Sequence, residues 1–309
     1  MLRTPSTKPT VTLLLAALAL SWAAGLVPSA AAQLKPRLKK VRANGVELSY
    51  VDQGKGTPVV FVHGGLVDYR RWLDQMGPFA AKYRVIAYSR RYNFPNKNPR
   101  VDPAYSAAVD AEDLAALIKK LKLGRVYVIG ESYGAYAAMI LAVRHPEVVR
   151  SLVLAEAPML TWLNASPEGK VEFEQFQERL WQPVGRAFAA GDNAQALAVI
   201  TAFFFDGAKV ETVPPEIRAM VEQNFPEWQA LTKSSDAFPT LRPEEVAAIR
   251  VPVLLMQGEK SLPLHRILDA QYAALLPNYK IAIVPNATHE MWDEQPAACR
   301  EKSMEFLPR

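Results

Sequence analysis

The chain has 309 residues, 50% hydrophobic and 22% charged, with a formal net charge of +5 at pH 7. That balance excludes a solvated disordered chain, and the positive excess is too weak and too scattered to point to nucleic acid or anionic lipid as a partner. Cys299 is the only cysteine, which excludes an internal disulfide and leaves packing to supply stability.

Residues 1–32 have the three parts of a secretory signal: Arg3 and Lys8, the apolar run VTLLLAALALSWAAGLV, and a small-residue site SAAA before Gln33. The prediction is export to the periplasm or beyond with a mature chain from about Gln33; an uncleaved anchor is the alternative, because the run approaches bilayer length. No later stretch is apolar enough to cross a membrane, so no stable insertion is expected after cleavage.

GVELSYVDQG alternates like a half-buried strand, and TPVVFVHGG is a continuous apolar run like an inner one. RVIAYS (84–89), RVYVIG (125–130), SLVLAE (151–156), VPVLLMQG (251–258) and YKIAIVP (279–285) read as further short strands. Helical patterns lie between them. In AAVDAEDLAALIKKLKLG, Leu114, Leu117, Ile118 and Leu121 fall on one face, acids sit early, lysines late, and Gly124 stops the run. Strands alternating with helices predict an α/β fold with a doubly wound, mostly parallel sheet. Residues 159–245 break the rhythm: they hold no convincing strand but many helical stretches and eleven Trp and Phe side chains, from Trp162 to Phe238. They read as a helical cap or lid inserted between core segments 33–158 and 246–309, with a largely apolar pocket beneath it.

The chemistry is announced by RVYVIGESYGAYAAMILAVRHP. It sets Gly130, Ser132 and Gly134 between an apolar strand and an Ala-rich helix, where a nucleophile on a strained turn needs small neighbours. With VVFVHGG (59–65), the strand ending in QGEKS (257–261) and PNATHEMWDEQP (285–296), the mature chain resembles the α/β-hydrolase superfamily throughout. The resemblance implies Ser132 as nucleophile and the backbone N–H groups of Gly65 and Tyr133 as oxyanion hole, with His63 ordering the loop before Gly65.

Serine needs a base, and imidazole titrates near neutrality. Of four histidines, His63 precedes the glycine pair, His145 closes the helix after Ser132, and His265 follows the QGEKS turn. His289 alone lies after the last strand and follows the nucleophile in chain order, as this fold requires. The resemblance also implies a carboxylate near position 261, where this chain has Ser261. Two acids compete for the role. Glu156 ends the strand next to the nucleophile strand, as in some dehalogenases and esterases of the superfamily, and is preferred because a carboxylate there is expensive to bury without a partner; Glu259 is the alternative.

Glu131 is expected to face the sheet surroundings or solvent. Arg90 and Arg91 are candidates for holding a substrate carboxylate, with structural ion pairs as the competing reading. The sequence therefore predicts an exported serine hydrolase that cleaves an ester or similar acyl bond of a small, largely apolar substrate through Ser132, His289 and Glu156. Alternatives on the same residues are carbon–carbon, lactone or amide hydrolysis or perhydrolysis, and a ligand-binding protein on the same scaffold. No dinucleotide motif or clustered metal-ligand spacing implies a cofactor or metal.

Overall fold

The computed structural model describes residues 37–307 apart from 101 and 206. The predicted signal segment lies outside them. Eight strands form one sheet in the order β1-β2-β4-β3-β5-β6-β7-β8. They are β1 Lys39–Ala43, β2 Val46–Gly54, β3 Pro58–Val62, β4 Arg84–Tyr88, β5 Val126–Glu131, β6 Val149–Ala155, β7 Val253–Gly258 and β8 Tyr279–Val284. β2 runs antiparallel to β1 and β4, and every pairing from β4 to β8 is parallel. The doubly wound, mostly parallel sheet expected from the sequence is present.

β1 was not anticipated, although Asn44-Gly45 is a strong hairpin signal. Both residues adopt positive φ, 46° and 79°, as a tight two-residue turn requires, and Ala43 pairs with Val46. Lysines on this edge strand obscured its alternation.

The inner strands are apolar on both faces because both faces are covered. Val60, Val62, Val128, Leu152, Leu154 and Leu255 enter one apolar cluster. Their alternating neighbours Val59, Phe61, Ile129, Val153, Leu254 and Met256 enter another. On the first face lie α2 (Ala107–Lys120) and α3 (Tyr133–Arg144); on the second lie α1 (Leu73–Ala80) and α12 (Pro296–Phe306). α2 buries Leu114, Leu117 and Ile118 and ends where Lys122 and Gly124 turn left-handed.

Between β6 and β7 the described residues form helices only: α4 Pro167–Phe176, α5 Gln182–Ala189, α6 Asn193–Phe204, α7 Pro215–Gln223, α8 Phe225–Leu231 and α9 Pro243–Ala247, with short 3-10 and π turns. α10 (Pro263–Leu275) follows β7, and α11 (Met291–Glu294) precedes α12. Parallel strands β3 to β8 all end at one sheet edge, so the loops after them converge there, and that edge carries the candidate chemistry.

Candidate active site

β5 is buried along its whole length and delivers Ser132 at φ 50°, ψ −123°, a strained backbone for a residue with a side chain. The flanking glycines are required by contact. A Cβ on Gly130 would lie 2.6 Å from the Ala135 Cα, and one on Gly134 would lie 2.3 Å from the His63 carbonyl oxygen. The turn is pinned by the Ser132 N–H donating to the Ala155 carbonyl at 2.7 Å, which ties it to β6.

His63, wholly buried after β3, accepts the Arg90 N–H at Nε2 (2.9 Å), so its proton sits on Nδ1, which donates to the Gly64 carbonyl at 2.8 Å. Burial, reinforced by the Arg90 charge, holds its pKa well below the usual histidine value. A Cβ on Gly64 would stand 3.3 Å from the Ser132 Cβ, so this loop lies against the elbow. Gly65, Ser132 and Tyr133 line the same cavity. The next N–H, that of Leu66, donates to Glu227 at 2.9 Å and is not free to meet a ligand.

Glu156 follows β6 with φ 54° and is wholly buried. Its Oε1 accepts the Gly258 N–H at 2.9 Å, and its Oε2 accepts from His289 Nδ1 at 2.5 Å. Burial would raise the carboxyl pKa, but the imidazoles of His265 and His289 pull it down to about 2. Burial would lower that of His289, but the Glu156 bond and charge raise it to about 9. Glu259 is exposed, and its carboxylate accepts the Asn286 N–H at 2.8 Å, shaping the turn instead of meeting an imidazole. Ser261 is buried beside Glu156. Ser132 and His289 open on one cavity.

His265, set aside in the elimination, belongs to this cluster. Its ring stacks on that of His289 with centroids 4.3 Å apart and planes within 5°, and its Nε2 lies 3.8 Å from Glu156 Oε2. Burial keeps it neutral, with a pKa near 3. Glu156, His265 and His289 are the one set of acid and imidazole ligand atoms among the described residues close enough to share a cation, all within 4.8 Å. The parallel rings direct their lone pairs along parallel planes, and the Glu156–His289 bond already occupies two of the donors.

The cavity has a volume of about 700 Å³. One wall is aromatic and aliphatic, with Phe176, Phe203, Phe204, Phe205 and Phe238 from the helical segment; Trp181 and Phe188 pack inside that segment instead. The other wall is charged. Arg71 binds Glu131 through two bonds of 2.5 and 2.9 Å and also pairs with Glu290 and Asp293. Glu131 therefore faces the cavity as a buried, paired group, contrary to the expectation of a sheet or solvent role, because its position directly before the elbow turns it toward Arg71.

Arg90 and Arg91 do not line the cavity, which corrects the substrate-holding reading. Arg90 is wholly buried against Asp110 and Glu227, and Arg91 binds Asp113 at 2.7 and 2.8 Å, so both cations are already neutralised. The residues that sequence reasoning missed, Arg71, His265 and Glu227, carry no local signal.

The alpha/beta hydrolase family model matches residues 59–302. The chain is 23% identical over 280 residues to the 2-(acetamidomethylene)succinate hydrolase of Mesorhizobium japonicum, covering 87% of this chain and 94% of that one. It is 26% identical over 265 residues to a non-heme haloperoxidase of Rhodococcus erythropolis, covering 81% and 91%. The solved structure of the carboxylesterase CesB (YbfK) from Bacillus subtilis superposes with a TM-score of 0.66 at 17% identity, covering 89% and 92%. With its sheet order, its elbow at Ser132 and a family match spanning most of its length, the chain belongs to the alpha/beta hydrolase family and is an enzyme of that family acting on small molecules.

Proposed function

We propose that this hydrolase cleaves an ester or similar acyl bond of a small, largely apolar substrate through Ser132, His289 and Glu156. The observation that carries the reading is the 2.5 Å bond from His289 Nδ1 to a buried carboxylate, in the cavity that also holds Ser132 on its strained turn. His289 Nε2 takes the Ser132 proton as Oγ attacks the carbonyl, and Glu156 keeps the proton on Nδ1 and stabilises the imidazolium. The N–H groups of Gly65 and Tyr133 receive the oxyanion; His289 then protonates the leaving group, and water releases the acyl group. In this reading residues 159–245 act as the lid, and their phenylalanines supply the apolar wall. The relatives include a 2-(acetamidomethylene)succinate hydrolase and a non-heme haloperoxidase, so in this reading the acyl group and its acceptor are set by the wall residues and not by the three catalytic side chains.

The test is release of p-nitrophenol from short-chain esters. Ser132→Ala should lower turnover by at least about a thousandfold, and a fluorophosphonate probe should label Ser132 alone; esterase activity that survives the substitution would remove the nucleophile. Residues 1–32 are proposed as a cleaved export signal. N-terminal sequencing of the exported protein should begin within a few residues of Gln33, and an intact Met1 there would refute it.

A further inference from the structure

Glu227 and Trp228 lie on α8, within the helical segment, yet both reach the loop that carries Gly65. Glu227 is wholly buried. Its Oε2 accepts the Leu66 N–H at 2.9 Å and the Asn93 side-chain amide at 2.8 Å, and its Oε1 pairs with Arg90. Arg90 in turn donates to the carbonyls of His63 (3.2 Å) and Gly64 (2.9 Å). One carboxylate thus gathers the backbone on both sides of Gly65. Trp228 closes the remaining side: a Cβ on Gly65 would lie 2.8 Å from the indole nitrogen. Just before α8, Asn224 donates to Asp68 and accepts the Phe94 N–H, each at 2.8 Å, so the seam extends along the same loops.

A buried ion pair is a poor device for stability alone, because desolvating both charges consumes most of their attraction. An oxyanion donor, by contrast, must stand within about 2.7–3.1 Å of an oxygen that exists only in the transition state, and a displacement of about 1 Å can lower the rate by about a hundredfold. Leu66 sits at φ 61°, a left-handed conformation that the Glu227 bond to its N–H helps hold.

We propose that Glu227 is a positioning residue that fixes the Gly65 N–H in the oxyanion hole, so that docking of the helical segment and assembly of the hole are a single event. The proposal rests on the Ser132 reading given above. Fluorophosphonate labelling of Ser132 in the unaltered chain, done first, separates failure of that reading from failure of this one.

The experiment compares Glu227→Gln and Glu227→Asp with the unaltered chain on p-nitrophenyl butyrate. Two inhibitors are titrated as well: phenylboronic acid, whose serine adduct places an oxygen in the hole, and p-nitrophenyl butyl ether, which has no carbonyl. Glu227→Gln should lower kcat about ten- to hundredfold and weaken the boronate by a similar factor, while KM and ether binding stay within about twofold. Glu227→Asp should fall between. Boronate affinity equal to that of the unaltered chain would overturn the proposal, and so would equal losses for boronate and ether, which would mean that Glu227 only shapes the pocket. Should Glu227→Gln not fold, Gly65→Ala and Gly65→Ala/Trp228→Leu decide: the added methyl should weaken the boronate at least tenfold, and removing the indole should restore part of that loss. Absence of any restoration would overturn the coupling.

Discussion

β6 and β7 are neighbours in the sheet and end at the same edge, with Ala155 registered against Met256, but they end differently. β6 is followed at once by Glu156, a buried charge in a left-handed conformation. β7 ends in Gly258, which has no room for a Cβ because the Ala287 and Thr288 carbonyls would lie 2.6 and 2.4 Å from it, and is followed by Ser261. The imidazole of His289 is addressed by the first strand for charge, while the second supplies the Gly258 N–H that holds the carboxylate. The proposed triad requires one charge at Nδ1, and in this chain the end of β6 supplies it. Ser261 is thus no lesion in the proposed triad, because the acid stands one strand away.

The most direct way to break this comparison is Glu156→Gln, which keeps shape and removes charge. Esterase kcat should fall by roughly two to four orders of magnitude with circular dichroism unchanged; a variant that keeps full activity would return the role to β7. The pH profile sharpens it. Because His289 must be neutral to accept the serine proton and its pKa is raised to about 9 by the Glu156 bond and charge, kcat/KM should climb about tenfold per pH unit below that value and level above it. In Glu156→Gln this limb should move toward the ordinary histidine value, so the deficit against the unaltered enzyme widens with rising pH. The same shift stabilises the fold: the Glu156 carboxylate holds the imidazolium more strongly than the neutral ring, so the contribution is complete below the ordinary pKa of 6.5 and is lost as pH rises through about 9, which thermal melts across that range should record.

A smaller effect is expected from Ser261→Asp placed in the Glu156→Gln background: recovery of about tenfold in kcat would show that both strand ends address one imidazole, and no recovery would confine the role to β6. Smallest of all, Ser261→Ala and Glu259→Gln should each change kcat by no more than about fivefold, since a local hydrogen bond is worth only about 1 kcal/mol.

Much of this was legible in the sequence for identifiable reasons. Strands covered on both faces leave continuous apolar runs, so β3 to β7 could be read directly. The elbow was legible because Gly130 and Gly134 are required by backbone contacts, and Glu156 because a carboxylate closing an apolar strand needs a partner. Arg71, His265 and Glu227 were not, because their partners are distant in the chain: Glu131 is 60 residues from Arg71, and Leu66 is 161 from Glu227. For Arg90 and Arg91 the charge was visible but not its direction, since buried acids on α2 and α8 take up both guanidinium groups.

The separations across that seam carry a kinetic consequence. Glu227 meets Asn93 and Leu66 across 134 and 161 residues, and the Glu156–His289 bond spans 133. Contacts of such range are rewarded only after the intervening chain has been ordered, whereas the β1–β2 hairpin closes on a two-residue turn. The seam should therefore form on the late side of the folding barrier. Weakening it should leave the refolding rate nearly unchanged and accelerate unfolding, so that loss of the pocket on storage or heating precedes loss of the sheet.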